Sequence, residues 1–116
     1  MYRILAAAFF ALVAFAGIAS AQSCPEIRFA RGASSGEVSG AVSEGAPLCF
    51  TFGSGAGQTA RIQLFGSRNT CFGVEGIQDC QDDFSFRTQS RSYHINVHQL
   101  FRGPGYENFV LRLTIR

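Results

Sequence analysis

The 116-residue chain contains no lysine and no tryptophan. Every fixed positive side chain is therefore an arginine, a planar fork suited to carboxylates and sugars. Without lysine the phosphate-cradling pattern G-x-x-x-x-G-K-[ST] is excluded. The chain has no C-x-x-C pair, so the usual spacing of a structural zinc site is missing. It has no G-x-S-x-G elbow to mark a serine nucleophile. Beyond residue 21 no stretch sustains helical spacing, and no internal repeat or low-complexity tract occurs. Charge of one sign is also scarce. Ten arginines face eight acids, and Arg3 lies in the leader described next, so the remainder carries about +1. A nucleic-acid binder needs a concentrated basic field, so no nucleic-acid partner is expected.

Residues 1–21 read MYRILAAAFFALVAFAGIASA. One arginine precedes an apolar run from Ile4 to Ile18, and Ala19-Ser20-Ala21 forms a small-x-small end. This is the pattern of a secretory signal peptide cleaved after Ala21, which implies a periplasmic or secreted protein. A retained membrane anchor would need a longer run, so no span is expected after cleavage. Lipidation at Cys24 fits poorly, because Ala21-Gln22-Ser23 departs from the Leu-small-small pattern and three cysteines would remain. Residues 22–116 are expected to form one domain. Cys24, Cys49, Cys71 and Cys80 then imply two disulfides in an oxidising compartment. Cys71 and Cys80 flank one turn region and are paired here, leaving Cys24 with Cys49. Each bond would contribute about 2 to 4 kcal/mol.

The dominant period is two. Phe50 and Phe52 alternate with Cys49 and Thr51, and Ala60, Ile62 and Leu64 with Arg61 and Gln63. Phe72 and Val74, then Phe84 and Phe86, continue the pattern. Tyr93, Ile95 and Val97, and Phe109, Leu111, Leu113 and Ile115, complete it. Such runs are half-buried strands, with one face to a core and one to water. Glu26–Ala30 and Gly36–Val42 are earlier candidates. Clusters such as SEGAP, GSGAG and RGPGYEN separate the runs as turns. About eight short strands with no helix predict an all-β, antiparallel β-sandwich, jelly-roll-like. The loop GSGAGQT lies between two strands rather than before a helix, so its glycines read as a turn requiring positive φ.

The order of motifs resembles small exported β-sandwiches of the pre-peptidase C-terminal type. AGQTARIQL, with Gln58 and Thr59, resembles their AGQ-plus-strand element. Arg31-Gly32 with Ser35 to Gly40 resembles their opening strand, and Phe50-Thr51-Phe52 their Y-x-F strand. NTCFGV from Asn69 to Val74, Tyr93 to Val97, and Asn108 to Ile115 are similar to the later strands. As a stand-alone exported domain the chain resembles the periplasmic inhibitors of g-type lysozyme. It departs from them in its four cysteines, and in a late strand read as running through Leu100 and Phe101 to Arg102. Only Arg102 is basic in the loop that follows. The resemblance implies a protein that binds lysozyme and is not an enzyme.

Several constellations are candidate sites. His94 and His98 stand four apart on a strand, about 13 Å along one face, too far for one ion, and read as two solvent-facing histidines. Asp79, Asp82 and Asp83 form an acidic turn without the order of a calcium loop. Glu37, Glu44, Glu75 and Glu107 show no mark of a glycosidase pair. No metal or cofactor is expected. The loop RGPGYEN presents Arg102, Tyr106 and Asn108, residue types that serve as interface anchors. Ser67 and Arg68 would brace its rim against a lysozyme cleft. The alternative is a cell-wall glycan-binding or envelope interaction module, with Tyr93 and Tyr106 as the available platforms.

Overall fold

The structure, a computed structural model, describes residues 23–116. The leader expected over residues 1–21 lies outside the described residues. Eight strands follow one another: β1 (Ser35–Val42), β2 (Leu48–Ser54), β3 (Thr59–Phe65), β4 (Thr70–Val74), β5 (Gln78–Gln81), β6 (Asp83–Arg87), β7 (Arg91–Gln99) and β8 (Glu107–Ile115). They form two four-stranded antiparallel sheets, ordered β1-β8-β3-β6 and β2-β7-β4-β5. Only β4 and β5 are consecutive in one sheet, and every other connection passes from one sheet to the other. This interleaving is the jelly-roll order.

The period-two residues meet between the sheets. Phe50, Phe52, Phe72, Val74, Tyr93, Ile95 and Val97 face Val42, Ala60, Ile62, Phe109, Leu111 and Leu113. Phe50 meets Phe109 edge-on at 6.4 Å, and Phe86 meets Tyr93 edge-on at 5.2 Å. Both contacts bridge the sheets, and such pairs add about 0.5 to 1.5 kcal/mol beyond area burial. Tyr93 is therefore a core residue rather than a ligand platform. It is 2% exposed, and its hydroxyl accepts from the Gln89 N–H at 2.8 Å.

The expected strand Glu26–Ala30 does not form. Glu26 makes a single parallel bridge to Thr51 on the edge of β2. Pro25 has no N–H to continue the ladder, and the chain then leaves β2 to close the open side of the sandwich. Ile27 is buried there, and Phe29 packs on the core beside Gly36. The acidic turn also resolves differently. Asp79 lies within β5, Asp83 opens β6, and Asp82 alone joins them. The Asp82 carbonyl accepts from the Leu64 N–H at 2.9 Å, and Asp83 takes a two-pronged bond from Arg61 at 2.7 and 3.0 Å. These contacts stretch the acids across two sheets.

The glycine loop after β2 is a closed turn. The Gln58 side chain turns back to accept from the Gly55 N–H at 2.8 Å, and Gly57 sits at φ +75°. The buried Thr88 hydroxyl donates to the Gly55 carbonyl at 2.7 Å. The Gly57 N–H and the Gln58 carbonyl bond the Thr88 backbone at 2.8 Å each. The N–H groups of Gly55, Gly57 and Gln58 are thus all engaged within the protein.

Cys24 bonds Cys49 and Cys71 bonds Cys80, with Cα separations of 4.8 and 5.3 Å. Both bonds lie at the margins of the β2-β7-β4-β5 sheet. One ties the N-terminal segment to β2, and the other ties β5 to β4.

Candidate functional site

Strand register gathers four connections at one end of the sandwich. Leu48 of β2 pairs with Val97 near the end of β7, and Thr70 of β4 pairs with Gln99. Val42 at the end of β1 pairs with Glu107 at the start of β8. The β1–β2, β3–β4, β5–β6 and β7–β8 connections therefore lie side by side. All five sequence-expected contact residues, Ser67, Arg68, Arg102, Tyr106 and Asn108, fall at this end.

Their roles differ. Arg68, Arg102, Tyr106 and Asn108 are exposed. Asn108 belongs to β8, not to the loop, which spans residues 100–106. Ser67 faces inward: its hydroxyl donates to Glu107 Oε1 at 2.8 Å and accepts from the Asn69 N–H at 3.0 Å. It braces the connection that carries Arg68. The Arg102 Nε lies 3.5 Å from Glu44 Oε2 across the β1–β2 connection. Both groups are largely in water, where such a pair contributes little.

The sequence reading missed the most exposed apolar side chain at this end. The late strand stops at Gln99, short of the expected Arg102. Had it continued, Phe101 would have followed Tyr93, Ile95 and Val97 onto the inward face. Instead its ring is 72% exposed, beside Leu100 at 45% and Tyr106 at 67%. The available signal was Gln99, a polar residue at the next inward position of an apolar series. Asn69 then takes over from the ladder. Its side-chain amide donates to the Phe101 carbonyl at 2.9 Å and accepts the Phe101 N–H at 2.8 Å. Its own carbonyl accepts the Leu100 N–H at 3.0 Å. Further along, Gln99 Nε2 donates to the Gly105 carbonyl at 3.3 Å, and Gly105 turns the chain at φ +84°.

Two aromatic rings, one leucine and one guanidinium thus stand in water on a backbone held by Asn69 of the β3–β4 connection and by Gln99 at the end of β7. Side chains of this kind anchor protein interfaces, and a pinned backbone lowers the ordering cost of binding. Among the described residues no group of three or more His, Cys, Asp or Glu is disposed to hold a metal ion. His94 is exposed, 3.7 Å from Glu75. His98 is not a free solvent-facing residue: it is half-buried, both ring nitrogens 3.7 Å from Cys71 Sγ.

No protein-family model matches the sequence, and no curated protein matches it significantly. Solved structures do. A periplasmic inhibitor of g-type lysozyme from Aeromonas hydrophila, PliG, superposes with a TM-score of 0.70 at 23% identity, covering 81% of this chain and 96% of its own. A mutant of the Escherichia coli PliG gives 0.61 at 21% identity, covering 83% of this chain and 100% of its own. PliG of Salmonella Typhimurium gives 0.62 at 17% identity, covering 84% and 100%. At such identities the likeness establishes a shared fold over nearly the whole domain.

Proposed function

We propose that this chain is an exported, periplasmic protein inhibitor of lysozyme, with g-type enzymes as its first target. In this reading residues 1–21 are removed and residues 22–116 act as one non-enzymatic domain. The motif order is read as that of a stand-alone pre-peptidase C-terminal-type sandwich. The observation that carries the proposal is the pinned loop bearing Phe101, Arg102 and Tyr106, on a fold shared with three solved inhibitors of g-type lysozyme.

The chemistry follows from what a glycan-cleaving cleft contains. Such a cleft carries carboxylates beside a groove shaped for sugar rings. Arg102 gives up only a weak, hydrated pair with Glu44. Against a carboxylate shielded from water it would form a charge-assisted, two-pronged bond. Tyr106 and Phe101 would lie flat where sugar rings stack. Arg68 would extend the positive rim, Asn108 would contact its flank, and Ser67 and Asn69 would hold the frame. Affinity would come from blocking the groove, with no bond made or broken.

The test is lysis of a bacterial suspension by goose-type, chicken-type and invertebrate-type lysozymes, with and without the oxidised mature domain. Selective protection from the goose-type enzyme at near-equimolar dose is expected. Absence of protection against all three would overturn the proposal.

A second reading, a cell-wall glycan module, draws on the outer face of the β1-β8-β3-β6 sheet. Ser35, Thr59, Gln63, Ser85 and Thr114 line a polar hollow there. Two of its three arginines are already engaged, Arg61 with Asp83 and Arg112 with Glu37, at 2.7 Å each. Retention on insoluble peptidoglycan, combined with no effect on lysis, would favour this reading.

A further inference from the structure

The two disulfides occupy different chemical surroundings. Cys71 is 3% exposed, whereas Cys80 belongs to the exposed edge strand β5. His98 pairs with Cys71 across the β4–β7 ladder and places both ring nitrogens 3.7 Å from Cys71 Sγ. Charge on a protonated imidazole is spread over both nitrogens and the carbon between them, so the sulfur faces the whole positive edge. Cys24 and Cys49 are both half-exposed, and the residue directly opposite Cys49 on β7 is Asn96 rather than a histidine.

We infer that Cys71–Cys80 is a thiol–disulfide exchange site, open to small thiols at Cys80 and activated by His98 at Cys71. The attacking thiolate uses its electron pair to form a bond to Cys80 Sγ. The Cys71–Cys80 bond breaks, and its pair leaves on Cys71 Sγ as a thiolate. A positive imidazole at His98 faces that charge and stabilises the departing thiolate, and a stabilised thiolate leaves faster. A second thiol then attacks the mixed disulfide on Cys80, releasing the oxidised dimer of the small thiol. Two thiols are oxidised and one protein disulfide is reduced.

The charged groups around this centre are few. Glu44 and Arg102 share a hollow with His98, and Arg68 and Asp82 line the hollow on the disulfide side. Arg102 is paired with Glu44 at 3.5 Å, and His98 is the side chain that lies against the sulfur itself. The site does not depend on lysozyme binding. It does form one wall of the hollow that also holds Arg68 and Leu100 at the candidate rim.

The test treats the folded, oxidised domain with 2-mercaptoethanol between about pH 5.5 and 8.5. Samples are quenched in acid, and the cysteines are mapped by alkylation and mass spectrometry. Cys71–Cys80 is expected to open on the order of ten-fold faster than Cys24–Cys49, with the adduct on Cys80. The rate, expressed per thiolate, is expected to be higher at the acid end of this range than at the alkaline end. His98→Asn is expected to flatten that profile and remove the advantage, leaving the Cys24–Cys49 rate unchanged. His98→Gln serves the same comparison should the first variant fold poorly. Equal rates for the two bonds, an adduct on Cys71, or a pH profile unaltered in both variants would overturn the inference.

Discussion

Phe101 is the residue on which the proposed interface turns. A ring 72% exposed at a pinned position holds little of the fold together. Phe101→Ala is expected to leave the melting temperature unchanged and to weaken lysozyme inhibition by roughly thirty-fold, the scale of a 2 kcal/mol anchor. Titration of lysis against inhibitor dose measures the second effect, and inhibition as tight as the parent's would remove Phe101 from the interface. Asn69→Ala removes both bonds to the Phe101 backbone. It should lower stability by about 1 kcal/mol and weaken inhibition through loss of loop order. Arg102 and Tyr106 are recognisable as anchors in any exposed loop. Phe101 was hidden because phenylalanine in a β-rich chain reads as core, and only the end of a strand turns it outward.

At the scale of elements, alternation located most strands but not their margins. β5 went unread because Gln78-Asp79-Cys80-Gln81 carries no apolar alternation. Its formation depends on β4 as a template. Phe72 pairs with Gln81 and Val74 with Gln78, so two residues of β5 face the single Gly73. A β-carbon at Gly73 would stand 2.6 Å from the Asp79 carbonyl oxygen, which is backbone. Gly73→Ala should therefore shift this bulge and cost about 1 to 3 kcal/mol, measurable as a lower urea midpoint. The neighbouring edge strand β6 is tied to β3 by Arg61 and Asp83. The hydrogen bond from the Arg61 guanidinium holds the Asp83 carboxyl below its usual range. A carboxyl with a lowered folded pKa stabilises the fold above its unfolded value, about 3.9, and loses that contribution as pH falls through the folded value. Both groups are exposed, so the effect is small. Melting curves of the parent and Asp83→Asn should differ slightly at neutral pH and converge in strong acid. A gap that persists below about pH 2 would refute this assignment.

For the molecule as a whole, the disulfides act on the unfolded chain. The residues they join are 25 and 9 apart in sequence, so replacing each pair with serine should cost roughly 3 to 4 and roughly 2 to 3 kcal/mol respectively. Urea unfolding of each double variant checks the order, and a larger loss at Cys71–Cys80 would contradict the loop-length account. Cys49 and Cys71 also show why topology decides the pairing. They lie opposite Asn96 and His98 on the two flanks of β7. Two strand spacings, about 9 to 10 Å, exceed the reach of a disulfide. The amino-acid sequence by itself determined that this would be an all-β chain, which faces of Phe50–Phe52, Tyr93–Val97 and Phe109–Leu113 would be buried, and that the glycine loop was a turn. Those properties are local, since period-two patterning and positive φ act within a few residues. Only the tertiary structure decided that the N-terminal segment closes a side of the sandwich rather than forming a strand. Only it brought His98 to Cys71, and only it turned Phe101 into water beside Arg102 and Tyr106. These outcomes depend on which strands become neighbours and where each ladder runs out of partners, and residues far apart in the chain settle both.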